Sequence, residues 1–285
     1  MKPRPPEHLL VATDLGPASA SALGFAGSLA EALGARVTLF HAVAPMLFFD
    51  FGAWDARYVQ LASERQTDQA EERLKEIQAT AFPSSVDVET VVRDANPVQG
   101  ILEITRERQC DLIVLGTHAW GPITAFFLGS VTQGVLHQSD APVIAVRPLD
   151  EPQSELGSIL CPVNISEAAY ASALYASMLA GATGADLQIL HLTEPDDDTT
   201  SHSIANWLPE SIETDDVETL TRTGDIAEKV VQRAQERHVD LIVLGAQHKH
   251  FLDTTVLGTT TERIIRHAHC AVMAVTMKAI DEKSV

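Results

Sequence analysis

Gly116 and the pair Gly129-Ser130 bracket twelve mixed residues, and Gly245 and Gly258-Thr259 bracket a second stretch at the same spacing. A glycine that closes an apolar run lets the backbone turn tightly and come near a ligand. A Gly-Ser or Gly-Thr pair opening the next helix offers free N–H groups, a hydroxyl and the positive end of the helix dipole. Together these suit a phosphate group. The same residues also read as a turn followed by a Ser N-cap with nothing bound. Asp14 ends the first apolar run, and beside a phosphate one such carboxylate could hold Mg²⁺ or Mn²⁺. The stretch is not a P-loop, since no Gly-Lys-Ser/Thr closes it, and no GxGxxG follows the first run.

Other reactive side chains point to less. Ser130 has no GxSxG elbow, so it is not read as a nucleophile, and no catalytic residue is assigned. His248 and His250 flank Lys249, and zinc is conceivable there. No cysteine lies at finger spacing, however. His41 and His191 end apolar runs and read as core histidines bonded to a backbone carbonyl. Cys110, Cys161 and Cys270 are widely spaced and odd in number; they read as small buried hydrophobes in a reducing cytoplasm.

The elements that must position these groups come twice. "DLIVLG…VIAV" (111–146) lies over "DLIVLG…VMAV" (240–275) without a gap, residue 111 falling on residue 240. About a third of the positions are identical. Upstream the offset is larger: Leu10 falls on Leu160 and His41 on His191. The surplus in the first half lies between 43 and 86, where "RYVQLASERQTDQAEERLKEIQA" has helical periodicity and a charged face. We therefore expect two homologous domains, 1–150 and 151–285, the second shortened by one surface helix. "RPLDEPQSELGS" (147–158) reads as the linker.

Within each half short β-rich runs alternate with helical stretches. The runs are nearly all apolar, as in a parallel sheet covered on both faces. This predicts an α/β fold, with right-handed βαβ crossovers giving an open, doubly wound sheet of five strands per half. Such sheets bind ligands beyond the carboxyl ends of their strands, where strand order reverses. Asp14, Ala42 and the residues from Gly116 onward sit there. Because an open apolar edge invites aggregation, the last strands (143–147 and 272–276) are expected to pair antiparallel.

The formal net charge is −19, with six lysines against fourteen arginines. Such a chain repels nucleic acid and anionic membrane. No apolar run reaches the roughly 18 residues that span a bilayer, and the first fourteen residues show no apolar h-region. A cytoplasmic location is the expectation.

The run "LLVATDLGPASASAL", the second strand "LFHAV", the spacing from Gly116 to Gly129-Ser130 and the closing "APVIAVRP" resemble the universal stress protein family in its tandem form. The resemblance covers nearly the whole chain, in order, twice. It implies two Rossmann-like domains of the adenine nucleotide alpha hydrolase type, each with strand order 3-2-1-4-5. It also implies a role in stress resistance and, in a subset of members, binding of ATP or ADP with Mg or Mn. By position, the nucleotide-binding roles fall on Ala12, Thr13, Asp14, Ala42, Gly116, His118, Ala119, Gly129, Ser130 and Val131. A weaker second site falls on Val163, Asn164, Leu192, Gly245, Gly258 and Thr259. The second glycine of the family motif is replaced by Ala119 and by His248, and Asn164 stands where Asp14 does.

The expectation is a stress-response protein that binds an adenine nucleotide mainly in the first half, its two domains forming an intramolecular pseudo-dimer. A further homodimer and an unidentified protein partner are compatible with it. Hydrolysis would be slow at most, since no arginine finger, water-positioning base or Walker lysine is apparent. The alternative is a tandem scaffold that binds no nucleotide and acts through protein partners. A transferase or hydrolase on the same fold would need a phosphate-gripping motif such as His-x-x-His, which is not found.

Overall fold

The computed structural model describes residues 4–44, 56–117, 128–148, 155–193, 204, 206–212, 217–221, 224–246, 249–251, 254–256 and 258–276. In the first half β1 (His8–Ala12), β2 (Arg36–Val43), β3 (Val88–Asp94), β4 (Leu112–Gly116) and β5 (Val143–Val146) alternate with α1 (Ala20–Leu33), α2 (Ala56–Ala81), α3 (Pro97–Glu107) and α4 (Ser130–Gln138). The second half contains β6 (Ser158–Val163), α5 (Glu167–Thr183), β7 (Asp186–Thr193), β8 (Val217–Thr221), α6 (Ile226–Glu236), β9 (Leu241–Ala246), α7 (Thr259–His267) and β12 (Ala271–Thr276). Between β9 and α7 lies a small antiparallel hairpin, β10 (Lys249–Phe251) with β11 (Thr254–Val256).

Local chemistry sets the ends of the helices. Gly34 (φ 64°) and Gly184 (φ 77°) close α1 and α5 in the left-handed conformation that glycine adopts without Cβ strain. Asn96 caps α3 through Val98 N–H (3.1 Å), with Pro97 preset for the first turn. Asp225, at the repeat-equivalent position, caps α6 through Glu228 N–H (3.1 Å).

Each half has strand order 3-2-1-4-5, and the two sets join in a single ten-stranded sheet, β3-β2-β1-β4-β5-β12-β9-β6-β7-β8. Every contact in it is parallel except that between β5 and β12, which pair antiparallel with Ile144 opposite Met273. Those two residues are repeat equivalents, so a pseudo-twofold axis passes between them. Gln133 and Glu262 are equivalents too, and their side chains meet at 3.3 Å. Arg147 donates to the Ala268 carbonyl and Thr276 to the Asp140 carbonyl, each at 2.7 Å.

Because strand side chains alternate between faces, two cores form. Leu9 and Val11 lie under α1 and α2, in one cluster with residues of α5. Leu10 and Ile113 lie under α3 and α4, in a second cluster with α6 and α7. Both clusters run across the two halves.

The last strands pair antiparallel as expected, so the two five-stranded sheets continue as one. Where the sequence reading leaves the second half without a counterpart of α2, residues 204, 206 and 207 are helical. Ile204, Leu208 and Ile212 are buried there, and Trp207 meets Tyr170 edge-on at 5.5 Å. Ile204, Leu208 and Ile212 belong to the same core cluster as Leu74 and Ile77 of the 26-residue α2. The aromatic window 46–58 lies outside the described residues, apart from the helical backbone of 56–58.

At the amino ends of the strands, His8 is buried between two partners. Its Nδ1 donates to the Arg108 carbonyl (3.0 Å), which leaves Nε2 to accept from the Thr38 hydroxyl (2.8 Å). Burial, and then the Arg36 charge, lower its pKa below the usual 6.5. The unfolded chain therefore binds the proton more readily than the folded one. Stability should be level above pH 6.5, then fall as pH drops through 6.5 toward the lowered folded value. His269, lowered by burial and by His238 and Arg147, adds in the same direction. Urea midpoints measured from pH 8 to pH 5 should show the fall, and His8→Gln should flatten part of it. A wild-type midpoint that rises on acidification would contradict this assignment.

Candidate functional site

The chain leaving β1 makes a tight turn that fixes Asp14. Thr13 N–H bonds the Phe40 carbonyl (3.0 Å), and the Thr13 hydroxyl accepts from Leu15 N–H (3.0 Å) and meets Ser19 Oγ (2.9 Å). Leu15 sits at φ 63°, a left-handed value that costs a non-glycine residue about 1–2 kcal/mol. The turn persists because its backbone N–H and hydroxyl groups are paired and Leu15 packs on the core. Asp14 Oδ1 accepts from Gly16 N–H (2.9 Å), while Oδ2 is buried with no hydrogen-bond partner among the described residues.

A cavity of about 160 Å³ opens at the carboxyl ends of the first-half strands. Ala12, Thr13, Asp14, Ala42, Gly116, Gly129, Ser130 and Val131, all expected from the sequence, line it. His118 and Ala119 lie outside the described residues. The sequence reading passed over Ser19, Phe40, Pro97, Ile101, Leu115 and Thr132, which complete the wall. The Asn-Pro pair that begins α3 was the available signal for two of them, since it puts a helix start beside the third strand. His41 does what its position suggested, donating Nδ1–H to the Thr13 carbonyl (2.8 Å), and it lines the cavity as well.

Phe40, Ala42, Ile101 and Leu115 give the lining its apolar surface, and Thr13, Asp14, Ser130 and Thr132 add polar groups. Gly129 precedes α4 in extended backbone (φ −58°, ψ 145°) with no side-chain cap. Helix geometry leaves the first-turn N–H groups after it without intrahelical carbonyls. Thr132 Oγ1 donates to the Gly116 carbonyl (2.7 Å), and Gly129 N–H to the Thr117 carbonyl (2.7 Å), which ties α4 to the end of β4. A lining of this kind can hold a ligand that carries both an apolar group and an anion.

The second half repeats the cavity with altered chemistry. Val163, Asn164, Leu192, Gly245, Gly258 and Thr259 all line a space of about 310 Å³. Gly258 has the same uncapped N-cap geometry (φ −58°, ψ 138°). His191 donates to the Val163 carbonyl (3.2 Å), as His41 does to Thr13. Asn164 is neutral, and its Oδ1 is taken by the Ser166 hydroxyl at 2.6 Å. None of the described residues lining this cavity is charged.

The bracketing glycines do not all serve backbone freedom, contrary to the sequence reading. Neither Gly116 nor Gly245 has positive φ. A Cβ on Gly245 would lie 2.2 Å from the Ala168 carbonyl oxygen, so α5 itself demands that glycine. On Gly116 the nearest atom would be 3.7 Å away, leaving room for a side chain.

Among the described residues no group of three or more His, Cys, Asp or Glu is placed to hold a metal ion. The side chains of His248 and His250 lie outside the description, and the zinc alternative with them. Burial pushes all three cysteine thiols up to about 12, so none is a thiolate at neutral pH. No described helix is long and apolar enough to cross a membrane.

The model of the universal stress protein family matches residues 6–147 and again 156–276. The chain belongs to the universal stress protein family. A universal stress protein from Mycolicibacterium smegmatis is 23% identical over 290 residues, covering 94% of this chain and 96% of its own. One from Thermus aquaticus is 29% identical over 140 residues, which is 49% of this chain and 97% of that protein. The crystal structure of a universal stress protein from Archaeoglobus fulgidus superposes with a TM-score of 0.73 at 19% identity, covering 95% of this chain and 98% of that one. Full-length matches to one kind of relative and half-length matches to another fit a tandem universal stress protein.

Proposed function

We propose that this universal stress protein is a nucleotide-responsive regulator whose first cavity holds ATP or ADP and whose occupancy changes its protein partners. The observation that carries the reading is the convergence, in one cavity, of an apolar wall, a free Asp14 oxygen and the uncapped start of α4. The base of the nucleotide would lie against Phe40, Ala42 and Ile101. The ribose or a phosphate-bound Mg²⁺ or Mn²⁺ would meet Asp14, and the phosphates the N–H groups at Ser130 and Val131. The second cavity is the weaker site. On this reading the protein senses the nucleotide and turns it over slowly at most.

A scaffold reading, in which the chain binds protein partners and no nucleotide, is favoured by one number. The first cavity holds only about 160 Å³, against roughly 300–1,000 Å³ for common ligand pockets. A nucleotide seated there would extend beyond it.

Heating the purified protein and analysing the supernatant by mass spectrometry tests the choice. Adenine nucleotide released in near-stoichiometric amount supports the first reading. If apo protein also fails to bind labelled ATP, with and without Mg²⁺, the scaffold reading stands. Where ATP binds, Ser130→Ala should weaken the first cavity by about 0.5–1.5 kcal/mol, one lost hydroxyl contact, read by titration calorimetry.

A further inference from the structure

We propose that the rim of the second cavity is a docking surface for a protein partner, which presents a large apolar side chain flanked by lysines or arginines. The inference goes beyond the nucleotide reading and stands without it, since it concerns the other half of the chain.

Among the described residues three large apolar side chains are exposed: Ile165 (54%), Tyr170 (37%) and Ile226 (36%). All three belong to the second half and to segments that line its cavity. Ile226 begins α6 and lines the cavity directly. Ile165 stands between Asn164 and Ser166, which both line it. Tyr170 is one turn further along α5, its N–H bonded to the Ser166 carbonyl (2.9 Å). Ile165 and Tyr170 flank the Ser166 cap at the two positions where apolar residues pack on each other at a helix start. Trp207, half-buried, extends this surface through its edge-on contact with Tyr170 (5.5 Å).

The equivalent positions of the first half carry no such rim. Leu15, in place of Ile165, packs on the core, while Ala20 stands for Tyr170 and Pro97 for Ile226. The repeat keeps a cavity in both halves and adds apolar surface at these positions in one. Single exposed apolar side chains need no explanation, but a group of them at the mouth of a cavity marks a binding surface. The cavity, about 310 Å³, can take the partner's anchoring side chain against Val163, Leu192, Val230 and Leu244.

Charge selects the kind of partner. Glu167 in the first turn of α5, Glu210 after Trp207 and Glu228 in the first turn of α6 are all exposed. Arg263, which reaches the start of α6, is held by Asp225 (2.5 Å). In sequence, the residues after β7 open with Glu194, Asp196, Asp197 and Asp198. With a net charge of −19 over the chain, these groups attract cationic segments and repel acidic ones.

The probe is a random dodecapeptide library displayed on phage and panned against the full chain, followed by fluorescence anisotropy with a synthetic peptide of the enriched sequence. The enriched peptides should share an aromatic or branched aliphatic residue with lysine or arginine beside it. Ile165→Asp, Tyr170→Ser and Ile226→Asp each change an exposed side chain and should keep the parent's far-UV circular dichroism. At least two of them should weaken the peptide about ten-fold or more. Thr80→Asp, on the distant α2, should change it less than about two-fold. Raising the salt to about 0.5 M should weaken it several-fold by screening. Acidic or wholly polar consensus peptides, no enrichment, or binders indifferent to two of the rim substitutions overturn the inference. So does a chain that sediments as a dimer and becomes monomeric with Ile165→Asp, because a second copy then covers the rim. Strict competition between ATP and the peptide assigns the cavity to the nucleotide and overturns it as well. A wild-type chain that binds the peptide but no ATP removes the nucleotide reading and leaves this surface in place.

Discussion

Met273→Asp is expected to yield no stably folded chain. Met273 is fully buried in β12, hydrogen-bonded to β9 on one side and β5 on the other, with buried Ile144 opposite. Above this pair α1 and α5 meet, so no route leads from position 273 to water. Removing the methionine side chain costs about 2–5 kcal/mol in lost burial and cavity formation. An aspartate there must also protonate or stay charged without a partner, which adds several kcal/mol. Together these approach the roughly 5–15 kcal/mol of a whole native state. Met273→Leu conserves volume and should cost less than about 1.5 kcal/mol. Far-UV circular dichroism and urea titration of the two variants decide the matter. A folded Met273→Asp with a near-native midpoint would mean that the seam between the halves is open to solvent.

Gly245→Ala should destabilise far more than Gly116→Ala, although the two glycines are repeat equivalents. The added Cβ at 245 would sit 2.2 Å from the Ala168 oxygen and 2.4 Å from its carbonyl carbon, both backbone atoms in the first turn of α5. Backbone cannot rotate away as a side chain can, so the helix must lift from β9. Overpacking of that kind costs about 3 kcal/mol or more, at the upper end of measured cases. For a chain of this size that lowers the melting temperature by about 5–10 °C. At 116 the nearest atom is 3.7 Å away, and stability should change by less than about 0.5 kcal/mol. Thermal melts of the two single variants give the comparison directly. Equal shifts would remove the argument that α5 rather than the ligand dictates Gly245.

That contrast shows what the sequence could and could not disclose. Both glycines stand in the same words, "DLIVLG", so a linear reading must give them the same reason. The difference arises from how closely the first turn of α5 approaches, a distance that no periodicity records. The duplication, the five strands of each half and the cavity residues after the first, second and fourth strands were legible, because apolar runs and glycine-marked ends are local properties. Pro97 and Ile101 were not, since they reach the cavity from a helix that follows the third strand. The β10–β11 hairpin, whose second strand packs on α4 of the other half, depends on contacts that the local sequence does not reveal.

On the pseudo-twofold axis Gln133 faces Glu262 and Ile144 faces Met273. In an assembly of two identical chains, each residue on the axis meets its own copy. Glutamate at this position would then oppose glutamate, and any change would be made twice at once. A duplicated chain escapes that rule, because each position is written separately for its two sides. Gln133 can donate where Glu262 accepts, and the fused sheet keeps its shape while the sides diverge. The same freedom covers the cavities: an aspartate can be retained at 14 while its counterpart at 164 becomes an amide. What the tandem gains over a symmetric pair is division of labour, two unlike cavities fixed in a constant ratio of one to one.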